Sequence, residues 1–261
     1  MKLHRIYAVF LRHMYNFKHS YDRLSDAFYW PVIDLLIWGL TSKYFISLAP
    51  DSGLIMTAVL SGLLFWIITW RGQYEITINL LTELWDKNLI NLFVAPLKFS
   101  EWVASLIVIG ILKAFISIVF ASVIAYFLYD INILMFGIYL IPFFFLLIMT
   151  GWWIGITIAA IILRYGTKIQ TLAWTVTWAV APFSAIYFPV SILPDWAQKI
   201  AYIMPSSYIF EGMREIVFTN SLSMEKIWIC LVLNVLYVSL SLLFLRNSFQ
   251  KTLNRGLQSV T

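Results

Sequence analysis

Charge is scarce in this sequence: Lys, Arg, Asp and Glu make up 12% of 261 residues, whereas 61% are hydrophobic. That is about half the charged share of a soluble domain, and no soluble fold of this size has an interior large enough for so much apolar surface. A bilayer does, since one span takes ~20 mostly apolar residues and tolerates Leu, Ile and Phe on every side of a helix. The single cysteine, Cys230, excludes an intrachain disulfide and reads as a small hydrophobe in an apolar run. There is no glycine-rich phosphate loop: in Gly166-Thr-Lys168 the threonine precedes the lysine and no glycine cradle comes before it. The chain is therefore not expected to hydrolyse ATP by itself. The histidines, His4, His13 and His19, crowd into the first segment with no H-E-x-x-H, which points to solvent or headgroup contacts rather than a metal. No nucleophile with a base and an orienting acid can be assembled, so neither an enzyme nor a resident cofactor is expected on this chain.

What is present fits a membrane domain. Aromatic residues reach 18%, with 12 Trp and 14 Tyr, as suits rings placed where hydrocarbon meets headgroups. The net charge of +5 comes from basic residues beside hydrophobic segments, where anionic lipid attracts them, and not from a nucleic-acid surface. Met1 to Leu24 lacks the apolar core and small-residue cleavage site of a secretory signal and is expected to stay in the mature chain.

Leu3, Ile6, Tyr7, Phe10, Met14, Phe17, Tyr21 and Leu24 recur in steps of three and four, with Lys2, Arg5, Arg12, Lys18 and Arg23 largely elsewhere. This predicts a basic amphipathic helix over residues 1–26, lying in the membrane surface. Six spans follow, at about Phe28–Leu48 with Pro31 in its opening turn, Gly53–Leu81, Trp102–Tyr129, Leu134–Leu163, Ile169–Phe188 and Ile227–Leu245. They make one bundle over 28–245 and leave a tail at 246–261. The second span is longer than a bilayer requires. Asp130 and Asn132 form a tight turn between the third and fourth, and Asp195–Tyr202 and Ser206–Phe218 are amphipathic pieces too short to cross.

Placing the amino terminus inside puts Lys2, Arg5, Arg12, Lys18, Arg23, Arg71, Lys87, Lys98, Arg164, Lys168, Arg246, Lys251 and Arg255 on the cytoplasmic side, against Lys43, Lys199, Arg214 and Lys226 outside. This bias predicts both termini in the cytoplasm of a multi-pass protein. The fold expected is an all-α membrane protein.

Between the second and third spans lies a short polar segment from Glu83 to Phe93, closed by Ala95-Pro96-Leu97. It reads as a small helix stopped by proline, and offers Glu83, Trp85, Asp86, Asn88 and Asn91 to a cytoplasmic partner, or else forms an interfacial turn with none. Charges at membrane depth each cost on the order of 3 kcal/mol unless paired or hydrated. Asp34, Arg71, Glu75 and Lys113 are thus expected either to line a translocation pathway or to form internal ion pairs. Arg71 and Glu75 share a helix face, and Lys113 needs a partner on another helix, Asp34 or Glu75. Glu211 and Arg214, three apart, are placed to bridge. Trp66, Trp70, Trp152, Trp153, Trp174 and Trp178 are candidates to stack on sugar rings or amphipathic molecules, or to anchor helices.

Three stretches carry a resemblance that covers nearly the whole chain: Tyr29-Trp-Pro31, Glu83 to Pro96, and above all Phe188 to Arg214. The last contains Pro205-Ser-Ser-Tyr208 and Glu211-Gly-Met-Arg214. Their order resembles the permease subunits of type-2 ATP-binding-cassette exporters. The resemblance implies a coupling helix carrying Glu83, Leu84, Trp85, Asp86, Lys87, Asn88, Leu89, Asn91 and Pro96, and an interface helix over Leu3–Leu24. It also implies an outer re-entrant pair carrying Pro205, Tyr208, Glu211 and Arg214. Two copies of the chain would pair, with two separate ATPase subunits holding ATP and Mg below, in the inner or plasma membrane of a prokaryote, and would export an amphipathic drug, lipid or lipid-linked saccharide. The coupling segment departs from the common E-x-x-x-G-T form, with Asp86-Lys-Asn88 where the glycine is expected. An ATP-independent carrier or lipid scramblase is the alternative, and would be marked by inverted repeats or by unwound spans with several acids; neither is visible.

Overall fold

A computed structural model describes residues 1–48 and 53–255; residues 49–52 and the part of the expected tail beyond 255 lie outside the described residues. The described residues are helical and contain no strand. Among them ten α-helices run in order: α1 Leu3–His19, α2 Tyr21–Leu48, α3 Gly53–Trp85, α4 Leu89–Val94, α5 Phe99–Tyr129, α6 Leu140–Tyr165, α7 Leu172–Val180, α8 Asp195–Ile203, α9 Pro205–Thr219 and α10 Met224–Arg255. Among the described residues, five segments are long and apolar enough to cross a membrane: α2, α3, α5, α6 with the turn before it, and α10.

The expected fifth span is not one helix. At nine residues α7 reaches only ~14 Å of a ~30 Å hydrocarbon core. A tight turn at Ala181–Ser184 follows, in which Pro182 withholds a donor, and left-handed Ala185 ends it. Beyond it the chain passes over α3 at Gly62, where a Cβ would stand 2.5 Å from the Ile186 carbonyl oxygen.

Pro31 lies in the interior of α2, not in an opening turn, because α2 begins at Tyr21. Its missing N–H frees the carbonyl of Ala27, four residues back. Ser117 on α5 supplies the lost donor, its hydroxyl 3.2 Å from that oxygen. A proline is tolerated at membrane depth when a neighbouring helix satisfies the freed carbonyl in this way.

The central element is α3, buried along most of its 33 residues, which span ~50 Å. It crosses α6 at a glycine contact: a Cβ on Gly151 would lie 2.4 Å from the Thr69 carbonyl oxygen, and one on Gly155 2.7 Å from that of Gln73. Small residues here let two backbones meet, the main source of helix affinity where lipid is as apolar as the core. Against α6 also packs α10, fixed by buried Asn234, whose Nδ2 donates to the Leu146 carbonyl at 3.0 Å and whose Oδ1 accepts from Thr150 at 3.0 Å.

Beyond residue 245, where a tail was expected, α10 continues as helix. Phe249 stacks on Phe99 with ring centroids 4.0 Å apart, and the Thr252 hydroxyl donates to the Leu163 carbonyl at 2.6 Å. These contacts gather α1, α4, the start of α5 and the ends of α3, α6 and α10 at one end of the bundle, called here the basic face. Asp130, left-handed at φ 58, ends α5 at the opposite face, and the Asn132 side chain accepts from Leu134 N to cap the next turn.

Candidate functional site

The polar residues of α3 form one column along its buried side. Near mid-helix, Glu75 places Oε2 2.7 Å from Lys113 Nζ on α5 and Oε1 3.6 Å from Arg71 Nη1 on its own helix. All three are about 2% exposed or less. Of the two partners proposed for Lys113, the structure selects Glu75. Arg71 also donates to the backbone carbonyl of Asp26 on α2, and the Tyr74 hydroxyl donates to the Asp26 carboxylate. One turn on, Asn79 Nδ2 donates to the Glu75 carboxylate at 3.2 Å, and its Oδ1 accepts from Arg23 at 3.0 Å. Arg23 donates as well to the Thr82 hydroxyl.

The column ends at Glu83. Its carboxylate accepts from Arg12 at 3.0 Å and from Asn88 Nδ2 at 2.7 Å. With Arg5 3.6 Å from Glu101 and the Lys113 ammonium 4.5 Å from the centre of the Phe17 ring, α1 turns much of its basic character inward onto α3 and α5. This corrects the expectation for Arg5, Arg12 and Arg23, which reach Glu101, Glu83 and Asn79; Leu3, Tyr7 and Tyr15 are exposed instead, along with Lys18 and His19. His13 is buried among these cations with neither ring nitrogen partnered. Burial foremost, then Arg12, Arg23 and Lys113, pull its pKa down to about 3.

Where Arg71 emerges from the column it borders a cavity of about 400 Å³ between α2, α3 and α7. Asp34, Trp66, Trp70, Tyr74, Trp174 and Trp178 help to line it, and Trp70 faces Trp178 with centroids 5.7 Å apart. Asp34 makes no ion pair among the described residues; it offers a carboxylate to the cavity instead. Trp152 and Trp153 lie elsewhere, on α6.

The polar segment after the second span divides differently from its expected form. Glu83, Leu84 and Trp85 belong to the end of α3, and left-handed Lys87, at φ 52, makes the turn into α4. Glu83, Leu84 and Leu89 face inward and cannot touch a partner, while Trp85, Asp86, Lys87, Asn91 and Pro96 are exposed and Asn88 is partly covered. The Trp85 indole N–H donates to Gln170 Oε1 at 2.8 Å, tying this turn to the one between α6 and α7.

At the opposite face, Glu211 sits 3.1 Å from Arg214 and accepts the backbone N–H of Val190 at 2.7 Å. Pro205 opens α9 and is buried, and the Tyr208 hydroxyl donates to the Tyr202 carbonyl on α8. Sequence reading missed Asp26, Tyr74, Arg12, Arg23 and Gln170. The spacing of Arg23, Asp26 and the later Pro31 carried a signal for the first two helices, since a span starting at Tyr21 would bring Asp26 to membrane depth.

A family model described as ABC-2 type transporter matches residues 7–218, from α1 to the end of α9. The chain belongs to the ABC-2 type transporter family. No curated protein matches it. As an ABC-2 membrane domain the chain is the transmembrane, permease subunit of a transporter, a multi-pass membrane protein whose kind partners with an ATP-binding-cassette subunit and generally carries no ATPase site of its own.

Proposed function

We infer that this ABC-2 permease subunit receives force from a separate ATPase through the Trp85–Pro96 element and passes an amphipathic substrate outward. The carrying observation is the exposed turn at Trp85, Asp86 and Lys87, which ends the long central α3 and is held to the next inner turn by Trp85–Gln170. A stiff helix that begins at the motor and runs ~50 Å through the bundle transmits displacement that a loop would absorb. Displacing α3 moves Glu75, Arg71 and the wall of the aromatic cavity together.

In this reading two ATPase copies bind ATP and Mg below two copies of the chain. The basic face is cytoplasmic, both termini lie inside, and the membrane is the inner or plasma membrane of a prokaryote. Six crossings are completed by α7 and the irregular run after it, and α8 with α9 forms a re-entrant outer pair closed by Glu211 and Arg214. The cavity beside Asp34 and Trp178 supplies apolar faces with two acidic residues, Asp26 and Asp34, and one guanidinium, which suits a drug, lipid or lipid-linked saccharide.

Copurification tests the reading. Asp86→Lys and Asn91→Arg both change exposed side chains, so the melting temperature should hold while recovery of the ATPase subunit with the permease falls on the order of tenfold. Transport by the reconstituted chain without nucleotide, or full ATPase recovery with both variants, overturns it.

A further inference from the structure

The second half of the chain holds a charge imbalance that the coupling reading does not use. No Asp or Glu occurs between Asp130 and Asp195, nor after Glu225. Arg164, at the end of α6, Lys168, in the turn after it, and Arg246 and Lys251, on α10, fall within these acid-free stretches. Among the described residues none of the four lies within ion-pair distance of a carboxylate.

Arg164 is held in place. Its Nε donates to the buried Ser248 hydroxyl at 2.8 Å, and its guanidinium lies 4.6 Å from the centre of the Phe244 ring. The two terminal nitrogens donate to no described residue. A guanidinium fixed by its Nε and backed by an aromatic ring is a preorganised fork for a tetrahedral anion.

Phe244 also closes one end of a groove between α6 and α10. Trp153, Thr157, Tyr237, Leu240 and Phe244 line this groove, of about 280 Å³. From Trp153 to Arg164 along α6 is eleven residues, or ~16 Å, which is half of a ~30 Å hydrocarbon core. The groove itself covers the stretch from Tyr237 to Phe244 on α10, ~10 Å, and Arg164 stands just past its Phe244 end.

We propose that the α6–α10 groove is a binding site for an anionic phospholipid of the basic-face leaflet, its phosphate on the Arg164 guanidinium and one acyl chain against Thr157 and Leu240. The occupant is a lipid by charge and by shape. Arg164, with no carboxylate partner among the described residues, calls for an anion at the groove's end, and basic pockets between spans are where anionic headgroups settle. The groove beyond Phe244 is lined mostly by apolar side chains, and at about 280 Å³ it admits a length of hydrocarbon chain but not a helix 10 Å across. The site lies on the α6–α10 side of the bundle, away from the α2–α3–α7 cavity, so it does not depend on the transport pathway proposed above.

Native mass spectrometry of the purified full chain, titrated with phosphatidylglycerol or phosphatidylcholine, tests the site together with melting curves in each lipid. The wild-type chain should retain phosphatidylglycerol in preference to phosphatidylcholine and melt higher in it. Arg164→Gln should bind phosphatidylglycerol on the order of tenfold more weakly, with its melting temperature in phosphatidylcholine unchanged, and Arg164→Lys should recover part of the difference. Leu240→Trp, which fills the groove and leaves the cation, should also weaken retention. Equal retention of phosphatidylglycerol by wild type and Arg164→Gln overturns the proposal. So does an Arg164→Gln defect confined to recovery of the ATPase subunit, which would make this a protein-docking surface.

Discussion

The Glu75 site makes the sharpest demand on the physics. Its carboxylate is the counter-charge for two buried cations, Lys113 at 2.7 Å and Arg71 at 3.6 Å. Arg71 otherwise donates to the Asp26 backbone carbonyl and lies over the Tyr74 ring, and Glu75 is its one ion-pair partner among the described residues. Glu75→Gln keeps the shape and removes the charge, leaving both cations without an ion-pair partner. Removing one partner of a buried pair costs about 3–5 kcal/mol, which at 1.4 kcal/mol per decade lowers the folded-to-unfolded ratio by about a hundredfold to several thousandfold. Lys113→Met removes one cation and leaves Glu75 paired with Arg71, so it should cost less than Glu75→Gln. The double variant, with one fewer orphaned cation, should be more stable than the sum of the singles implies, by about 1–2 kcal/mol. Unfolding by denaturing detergent in mixed micelles measures all three. Glu75→Gln within about 0.5 kcal/mol of wild type, or Lys113→Met the more damaging, would refute the reasoning.

The remaining predictions concern other contacts. The pKa of His13 is about 3 in the folded chain against 6.5 for the free side chain, so only the unfolded chain binds its proton in mild acid. Stability from this group is complete above pH 6.5 and falls as pH drops below it, by up to about 1.4 kcal/mol per unit. Melting curves between pH 7 and 5 should show this slope, and His13→Gln should flatten it. Gly151→Ala puts a methyl 2.4 Å from the Thr69 carbonyl oxygen; parting α3 from α6 should cost about 1–3 kcal/mol in the same detergent assay. Glu211→Gln weakens the anchor of Val190 N and of Arg214, and hydrogen exchange at Val190 should quicken while the α3–α5 core keeps its protection.

How much of this was legible follows from the range of each interaction. That α2, α3, α5 and α10 are apolar helices fit to span a bilayer is a property of windows of about 20 residues, so hydropathy alone decides it. The Arg71–Glu75 and Glu211–Arg214 pairs were legible for the same reason, being i,i+4 and i,i+3 neighbours on one helix. The start of α2 was misjudged because Pro31 signals a first turn only when no other helix supplies the lost donor, and Ser117, 86 positions away in the chain, does so.

Composition and local spacing by themselves determined that the chain is helical, lives in lipid and carries an exposed polar turn between its second and third spans, since each depends on residues a few positions apart. Only the tertiary structure decided which acid meets Lys113, that the arginines of α1 face Glu83 and Glu101, and that Glu83 is unavailable to a partner. The reason is that in a bilayer a helix may be apolar on both its lipid side and its packed side. Periodicity then shows where the polar stripe runs, and only the packing of α1, α3 and α5 shows what the stripe touches.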